Sequence, residues 1–152
     1  MLRSEKYVIH GKPVAWARPG RHGGRCFDTQ KEEKESYGWA IKTTLGNDPL
    51  WTGPLHLNVI FYLPMVDGRR TYRGERDQQA HIRIPDLDNL CKFLIDSMSK
   101  DILFHDDCII AKITALKLWD KNPRTEFTLT EMTIFLDGTP YIDEKKCGGC
   151  GK

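Results

Sequence analysis

The chain has 152 residues, enough for one domain that buries a hydrophobic core without disulfides or a structural metal. Its composition, 39% hydrophobic and 29% charged with no long apolar run, is that of a soluble globular protein and excludes a membrane-spanning one. The five cysteines lack framework spacing and the N-terminus has no apolar signal region, so we expect a cytoplasmic protein rather than a secreted disulfide scaffold.

The formal net charge of +2 conceals an uneven distribution of charge along the chain. Residues 1–85 hold 14 Lys and Arg against nine Asp and Glu, whereas residues 86–107 hold six Asp against two Lys. A basic body around an acidic patch suits a metal-using enzyme that acts on a polyanion. Uneven solvation of an ordinary surface gives the same counts, so charge alone does not separate the two explanations.

The first third of the chain predicts a strand, a basic segment and a helix. Residues 5–11 have the pattern of a short strand. Residues 12–28 are irregular and basic, with two short strands expected around the turn "PGRHGG". Thr29 and Glu32 have capping-box spacing, and apolar residues recur at helical spacing behind them, which predicts a helix from about Thr29 to Leu45.

The rest of the chain predicts three strands and a second helix. The alternating "LHLNVIFYL" predicts a strand over 55–63, and the polar loop 65–84 that follows has a length typical of functional loops. An apolar helix is expected to begin near Asp86, and strands over 108–119 and 125–136 are expected to form a hairpin. The predicted fold class is α/β of the α+β type: one domain with a small mixed, largely antiparallel sheet and two main helices.

Acidic residues are concentrated around the second helix, in "IPDLDNLCKFLIDSM". In extended chain Asp86 and Asp88 project to the same side, and the spacing of four places Asp88, Lys92 and Asp96 on one helix face. A further acidic pair, in "HDD", is expected to open the next strand, where adjacent residues point to opposite faces. At most one member of that pair should therefore join the cluster unless a bulge intervenes.

Helix capping is the competing explanation for these acids. One aspartate at a helix N-terminus is favourable by about 0.3–1 kcal/mol, and a single residue satisfies that need. More aspartates crowd like charges that raise one another's pKa or need a cation, and converging carboxylates suit Mg²⁺ or Mn²⁺. Lys92 either forms a salt bridge with the acids or stabilises charge on a phosphate. The spacing alone leaves the metal site and the capped helix equally open.

The residues "PDLDNLCKFLIDSM" and "ILFHDDCIIAKITALKLW" resemble the core signature of the RusA family of Holliday junction resolvases. That signature is a PDxDNxxK segment, an aspartate late in the same helix, and a DD pair that opens a strand. The N-terminal "GKPVAWARPGR" is similar, more weakly, to the family's Gly-x-Pro and Arg-Pro segment. Together these segments cover the chain from about Gly11 to Trp119.

The resemblance implies a homodimeric, Mg²⁺-dependent endonuclease that cuts four-way DNA junctions by paired symmetric incisions. Mn²⁺, which prefers the same hard oxygen ligands, is expected as a substitute metal. It carries the family's essential acids over to Asp86, Asp88 and Asp107, and its catalytic lysine to Lys92. The three acids would hold the metal, which activates water and neutralises the phosphodiester. Asp106 matches the first member of the acidic pair and is a further candidate ligand.

Basic side chains supply candidate contacts to DNA phosphates, and such contacts would make binding strongly salt-dependent. An ordinary solvated loop would contain the same arginines. The candidates are Arg18, Arg21 and Arg25 in the N-terminal segment, and Arg69, Arg70, Arg73, Arg76, His81 and Arg83 in the polar loop.

The nuclease domain is expected over residues 1–143, with residues 144–152 as a flexible C-terminal tail. The tail contains Cys147 and Cys150, which by themselves are half of a zinc site. Two other functions stay open: a nuclease for other branched or flap DNA, and a non-catalytic DNA-binding protein whose acids are structural. The resemblance also implies a bacterial protein, of the kind that phages and prophages carry. Its expected partner is branched DNA, and no association with a membrane is expected.

Overall fold

The structure, a computed structural model, describes residues 2–64 and 79–133. Within these ranges the chain forms a four-stranded sheet, a two-stranded hairpin, two main helices and a short 3-10 turn. In chain order the elements are β1 (Ser4–His10), β2 (Gly20–His22), β3 (Arg25–Phe27), α1 (Lys31–Leu45), β4 (Leu55–Pro64), α2 (Leu87–Met98), the 3-10 turn (Asp107–Ile109), β5 (Ile110–Asp120) and β6 (Arg124–Glu131).

The four-stranded sheet has the order β1-β6-β4-β5. β6 pairs antiparallel with both β1 and β4, whereas β4 and β5 run parallel. The predicted class, a single α+β domain with a mixed, largely antiparallel sheet, is therefore confirmed. β2 and β3 form the small hairpin expected around "PGRHGG". On β4 the predicted alternation also holds, because Leu55, Leu57, Val59, Phe61 and Leu63 are all buried.

β5 and β6 do not form the predicted hairpin, because β4 lies between them. Tyr62 of β4 pairs with Arg124 of β6, while Pro64 of β4 pairs with Asp120 of β5. Residues 121–123 therefore cross the end of β4, a span of two strand spacings, or about 10 Å. The physical reason is that β4 is buried along most of its length, and a buried strand needs hydrogen-bond partners on both edges.

The hydrophobic core lies between the sheet and the two helices. α1 and α2 pack against each other, and α1 contacts β1 while α2 contacts β5. The core combines buried residues from every layer: Tyr7 and Ile9 of β1, Ile41 and Leu45 of α1, Leu55, Leu57, Val59, Phe61 and Leu63 of β4, Leu90, Leu94 and Met98 of α2, and Phe127 and Leu129 of β6.

α1 begins at Lys31, and the capping box expected from Thr29 and Glu32 is wrong. Gln30 is the N-cap residue, and it makes no capping hydrogen bond with its side chain. That side chain bonds instead to the backbone of the N-terminal basic segment, so a tertiary contact replaces the local one. The end of the helix at Leu45 is confirmed.

Several predictions concern residues outside the described ranges. They are the DNA contacts of Arg69, Arg70, Arg73 and Arg76, the domain boundary at residue 143, and the tail with Cys147 and Cys150. Among the helices of residues 2–64 and 79–133, none has the length and apolarity that crossing a bilayer requires.

Candidate active site

The entry to α2 is held by the edge strand β5. Lys117 of β5 donates hydrogen bonds to the backbone carbonyls of Arg83 and Pro85, directly before the helix. Asp86 is the N-cap residue, with extended backbone at φ −71° and ψ 143°, but its carboxylate makes no capping hydrogen bond. Capping therefore does not account for this exposed carboxylate, which is left open to a ligand.

Asp88, Lys92 and Asp96 share one face of α2, as their spacing predicts, and line a single pocket of about 640 Å³. Asp107 reaches the same pocket from the turn before β5. The structure thus brings three of the acids together with the lysine, while Asp86 lies outside the lining of the pocket. The remaining walls come from Leu87, Cys91, Ile95, Ile113 and Ala115.

The turn before β5 presents Asp107 to this pocket. The link after α2 is anchored by the fully buried Leu103 and Phe104. The carboxylate of Asp106 then accepts a 3.0 Å hydrogen bond from the backbone N–H of Cys108, which starts a 3-10 turn. The acidic pair therefore precedes β5, whereas the sequence predicted that the pair would open this strand. The carboxylate of Asp106 is thus hydrogen-bonded within the turn, and of the two aspartates only Asp107 lines the pocket.

Negative charge accumulates around the pocket. Burial, followed by the hydrogen bond and charge of Asp106 and the charge of Asp96, raises the pKa of Asp107. Asp96 is partly offset by Lys34 of α1, at 3.5 Å. Burial, and then the charge of Asp88, raises the pKa of the Cys91 thiol, so this cysteine stays neutral and is a poor nucleophile.

The side chains of the pocket are those that a hard divalent cation prefers. Asp88 and Asp107 offer the carboxylate oxygens that such a cation binds, and the neighbouring charges of Asp106 and Asp96 favour a cation beside Asp107. Over residues 2–64 and 79–133, however, no three His, Cys, Asp or Glu side chains already form a group that could hold a metal. The residues fit Mg²⁺ chemically, and the ligand set of Asp86, Asp88 and Asp107 stays a prediction.

Lys92 is held by an aromatic side chain of the N-terminal basic segment. Its Nζ lies 3.6 Å from the centroid of the Trp16 ring, a cation–π contact. The backbone N–H of Trp16 donates a 2.9 Å hydrogen bond to the carbonyl of Asn89, in the first turn of α2. The basic segment is therefore attached to the helix that carries the acids.

The candidate DNA contacts in the described ranges have different surroundings. Arg18 follows Trp16 by two residues, and Arg21 and Arg25 lie on the β2–β3 hairpin; all three are exposed. Arg83, before α2, is also exposed. His81 is buried against Trp119, with ring centroids 4.0 Å apart; this packing argues against its expected phosphate contact, which stays a prediction.

Residues that position the site escape sequence reasoning. Lys117 contacts a backbone carbonyl, Lys34 a carboxylate and Gln30 a backbone amide. Each of these groups is distant in the chain, and no local sequence pattern marks such contacts. Trp16 had one available signal, its place in "GKPVAWARPGR", the second segment of the family resemblance.

Comparisons with known proteins place this site within a known family. A family model described as Endodeoxyribonuclease RusA matches residues 10–130. The uncharacterized protein YqaN of Bacillus subtilis (strain 168) is 23% identical over 138 residues, which are 84% of this chain and 96% of that protein. The crossover junction endodeoxyribonuclease rusA of Lactococcus phage r1t is 34% identical over 79 residues, 52% of this chain and 56% of that protein. The matched family segment contains every residue of the pocket.

Proposed function

Because the chain belongs to the RusA endodeoxyribonuclease family, we propose that it is a Mg²⁺-dependent endonuclease that resolves four-way DNA junctions during recombination and repair. The observation that carries this proposal is the pocket that Lys92 lines together with Asp88, Asp96 and Asp107. The name of the Lactococcus phage relative, a crossover junction endodeoxyribonuclease, supports the choice of substrate. That relative also supports a phage or prophage origin.

In the proposed mechanism, Asp86, Asp88 and Asp107 would hold the metal, and Mg²⁺ would supply Lewis-acid stabilisation of the scissile phosphate when bound. Lys92 adds a positive charge on the same side of α2, where it stabilises the negative charge that develops on the phosphate during hydrolysis. Arg18, as an exposed basic residue near Trp16, holds the DNA backbone in register.

Substitution of Asp88 tests whether the acids are catalytic. We expect Asp88→Asn to abolish Mg²⁺-dependent junction cleavage and to leave junction binding intact, because the change removes a ligand charge but keeps the side-chain shape. Gel-shift and single-turnover cleavage assays measure the two properties. The control is Asp48→Asn, an exposed aspartate after α1, which should cut like wild type. Wild-type cleavage by Asp88→Asn would show that the acids are structural.

A substrate panel tests the proposed preference for junctions. Cleavage rates are compared on a four-way junction, a flap, a replication fork and a linear duplex of shared sequence. We expect the four-way junction to be cut fastest, with paired incisions in opposed strands. Equal rates on all four substrates would rule out the resolvase assignment, and faster cutting of the flap would identify the alternative nuclease.

We also propose that the protein acts as a homodimer, because two symmetry-related strands of a junction are best cut by a two-fold symmetric enzyme. Sedimentation velocity should give twice the mass of one chain. In mixed dimers of wild-type and Asp88→Asn chains, we expect junctions that are nicked in one strand. Complete resolution by purified mixed dimers would contradict paired action of two sites.

A further inference from the structure

Lys92 lies among acids but is not bound to them. It lines the pocket together with Asp88, Asp96 and Asp107, and a lysine in such surroundings would ordinarily form an ion pair. Within the described ranges no carboxylate lies within 4.0 Å of its Nζ, and the Trp16 ring takes up the ammonium instead, at 3.6 Å. The face of an indole is the strongest cation–π partner among side chains.

The backbone of Trp16 is fixed on both sides by one buried side chain. The Gln30 amide donates a 2.8 Å hydrogen bond to the carbonyl of Ala15 and accepts a 2.7 Å bond from the N–H of Ala17. Gln30 is only 9% exposed, so water competes weakly for these bonds. With the bond from Trp16 to Asn89, three hydrogen bonds hold the backbone of residues 15–17.

Gln30 is in turn connected to the acidic face of α2. Its backbone N–H donates to the carboxylate of Asp28, at 2.9 Å. The other oxygen of Asp28 pairs with Lys34 at 2.9 Å, and Lys34 also pairs with Asp96. Gln30, whose side chain fixes the backbone around Trp16, is therefore joined through its own backbone N–H to the network that holds one of the acids lining the pocket.

We propose that Trp16 is a positioning residue for Lys92: its indole, fixed by Gln30, holds the ammonium beside the acids but keeps it from pairing with them. This inference rests on the proposed function for its role in catalysis. Its consequence is twofold. The carboxylates of Asp88 and Asp107 stay free for a divalent cation, and the charge of Lys92 stays free for the phosphate.

The geometry can be tested without any cleavage assay, by NMR of protein labelled with ¹³C at the lysine ε-carbons. A proton above an indole ring is shielded, so we expect one lysine ε-methylene to be shifted upfield and to disappear in Lys92→Arg. Trp16→Leu should return that signal to the ordinary lysine position, whereas Trp16→Phe, which retains an aromatic face, should keep part of the shift. Gln30→Ala should weaken the shift, because the indole then loses its support.

The catalytic consequence is tested by a double-mutant cycle on single-turnover junction cleavage. We expect Trp16→Leu to slow cleavage by about 100-fold, the size of effect that a misplaced catalytic group produces. Trp16→Phe should recover most of that loss. The combined Trp16→Leu, Lys92→Met variant should be no slower than Lys92→Met alone, because Trp16 acts through Lys92. Trp16→Leu should also raise the Mg²⁺ concentration needed for half-maximal cleavage, since a released ammonium competes for the carboxylates.

Trp39→Leu is the matched control, because Trp39 lies on α1 with 74% of its surface exposed. It should change neither the shifted lysine signal nor the cleavage rate. An unshifted Lys92 signal in folded wild-type protein would overturn the inference, whether or not the protein cuts junctions. Additive losses from Trp16→Leu and Lys92→Met would also overturn it. If the lysine signal is shifted but the protein cuts no DNA, the contact of Lys92 with Trp16 is supported and the proposed nuclease function is rejected.

Discussion

Asp106 and Asp107 show how adjacent residues of the same type acquire different properties. The backbone N–H of Cys108, foremost among several contacts, lowers the pKa of the exposed Asp106 carboxyl. Burial and two neighbouring acids raise the pKa of Asp107, which lines the pocket. The family resemblance makes Asp106 a further candidate metal ligand, and this stays a prediction. Its hydrogen bond to the backbone of Cys108, in contrast, indicates a structural role in the turn.

This difference predicts a separation of effects within the acidic pair. Asp107→Asn should abolish cleavage, because it removes charge from the pocket. Asp106→Asn should retain most activity, because the amide oxygen still accepts the hydrogen bond of the turn. Asp106→Ala should be less active than Asp106→Asn, since the turn that presents Asp107 loses its acceptor. Single-turnover cleavage of the four-way junction measures all three. An equal loss of cleavage activity in Asp106→Asn and Asp107→Asn would instead indicate that Asp106 is a metal ligand.

At the scale of elements, α2 is placed by contacts on two sides. β5 contacts α2 directly, and Lys117 of β5 fixes the chain before the helix. On the other side Gly38 of α1 faces the turn after α2: a Cβ there would lie 3.3 Å from Cδ1 of Ile102 and 3.6 Å from the carbonyl of Ser97. The absence of a side chain at Gly38 therefore allows the two helices to approach closely.

The close approach predicts a size limit at Gly38. Gly38→Ala should change the free energy of unfolding by no more than about 1 kcal/mol, because the helix gains propensity and the flexible end of Ile102 can move. Gly38→Leu should destabilise by about 1–3 kcal/mol, because the larger side chain has to displace the backbone of α2. Urea denaturation of the two variants measures the difference. Equal stability of both would show that the helices separate without cost.

At the scale of the whole molecule, charged side chains tie the strands of the sheet together. Glu126 of β6 pairs with Lys6 of β1 at 2.6 Å and with Arg124 of its own strand at 2.7 Å. The guanidinium of Arg124 also lies 3.7 Å from the centroid of the Tyr62 ring, on β4. Hydrogen bonds from Lys6 and Arg124 hold the pKa of Glu126 below its ordinary value of 4.5.

This cluster predicts a pH-dependent part of the stability. Because the pKa of Glu126 is lower in the folded state than in the unfolded state, its contribution is present above pH 4.5 and is lost as the pH falls through the folded-state pKa. At neutral pH Glu126→Gln should therefore lower the free energy of unfolding by about 1 kcal/mol, the upper range for ion pairs of this exposure. As the pH falls through the folded-state pKa, the carboxyl of the wild type also takes up a proton and the difference should shrink.

Urea denaturation at several pH values measures this difference between wild type and Glu126→Gln. Glu33→Gln, which removes an exposed carboxylate from the first turn of α1, serves as the control and should give a smaller effect at neutral pH. A difference for Glu126→Gln that persists or grows as the pH falls would mean that the carboxylate charge is not the source of the stability.

The sequence by itself determined the elements and the face of α2. Apolar alternation located β4, and the spacing of four placed Asp88, Lys92 and Asp96 on one side of the helix. These predictions succeeded because periodicity is a local property that the backbone geometry imposes. The resemblance of "PDLDN" and "HDD" to one family was equally local, and the match over residues 10–130 confirms it.

Only the tertiary structure decided how these elements meet. β4 lies between β5 and β6, Gln30 binds the N-terminal segment instead of capping α1, and His81 packs against Trp119. Each of these depends on residues far apart in the chain, and tertiary hydrogen bonds together with the burial of apolar surface outweigh local preferences. The contact of Lys92 with Trp16 belongs to the same class. No local pattern shows that a lysine four residues from two aspartates is held by an indole from the other end of the domain.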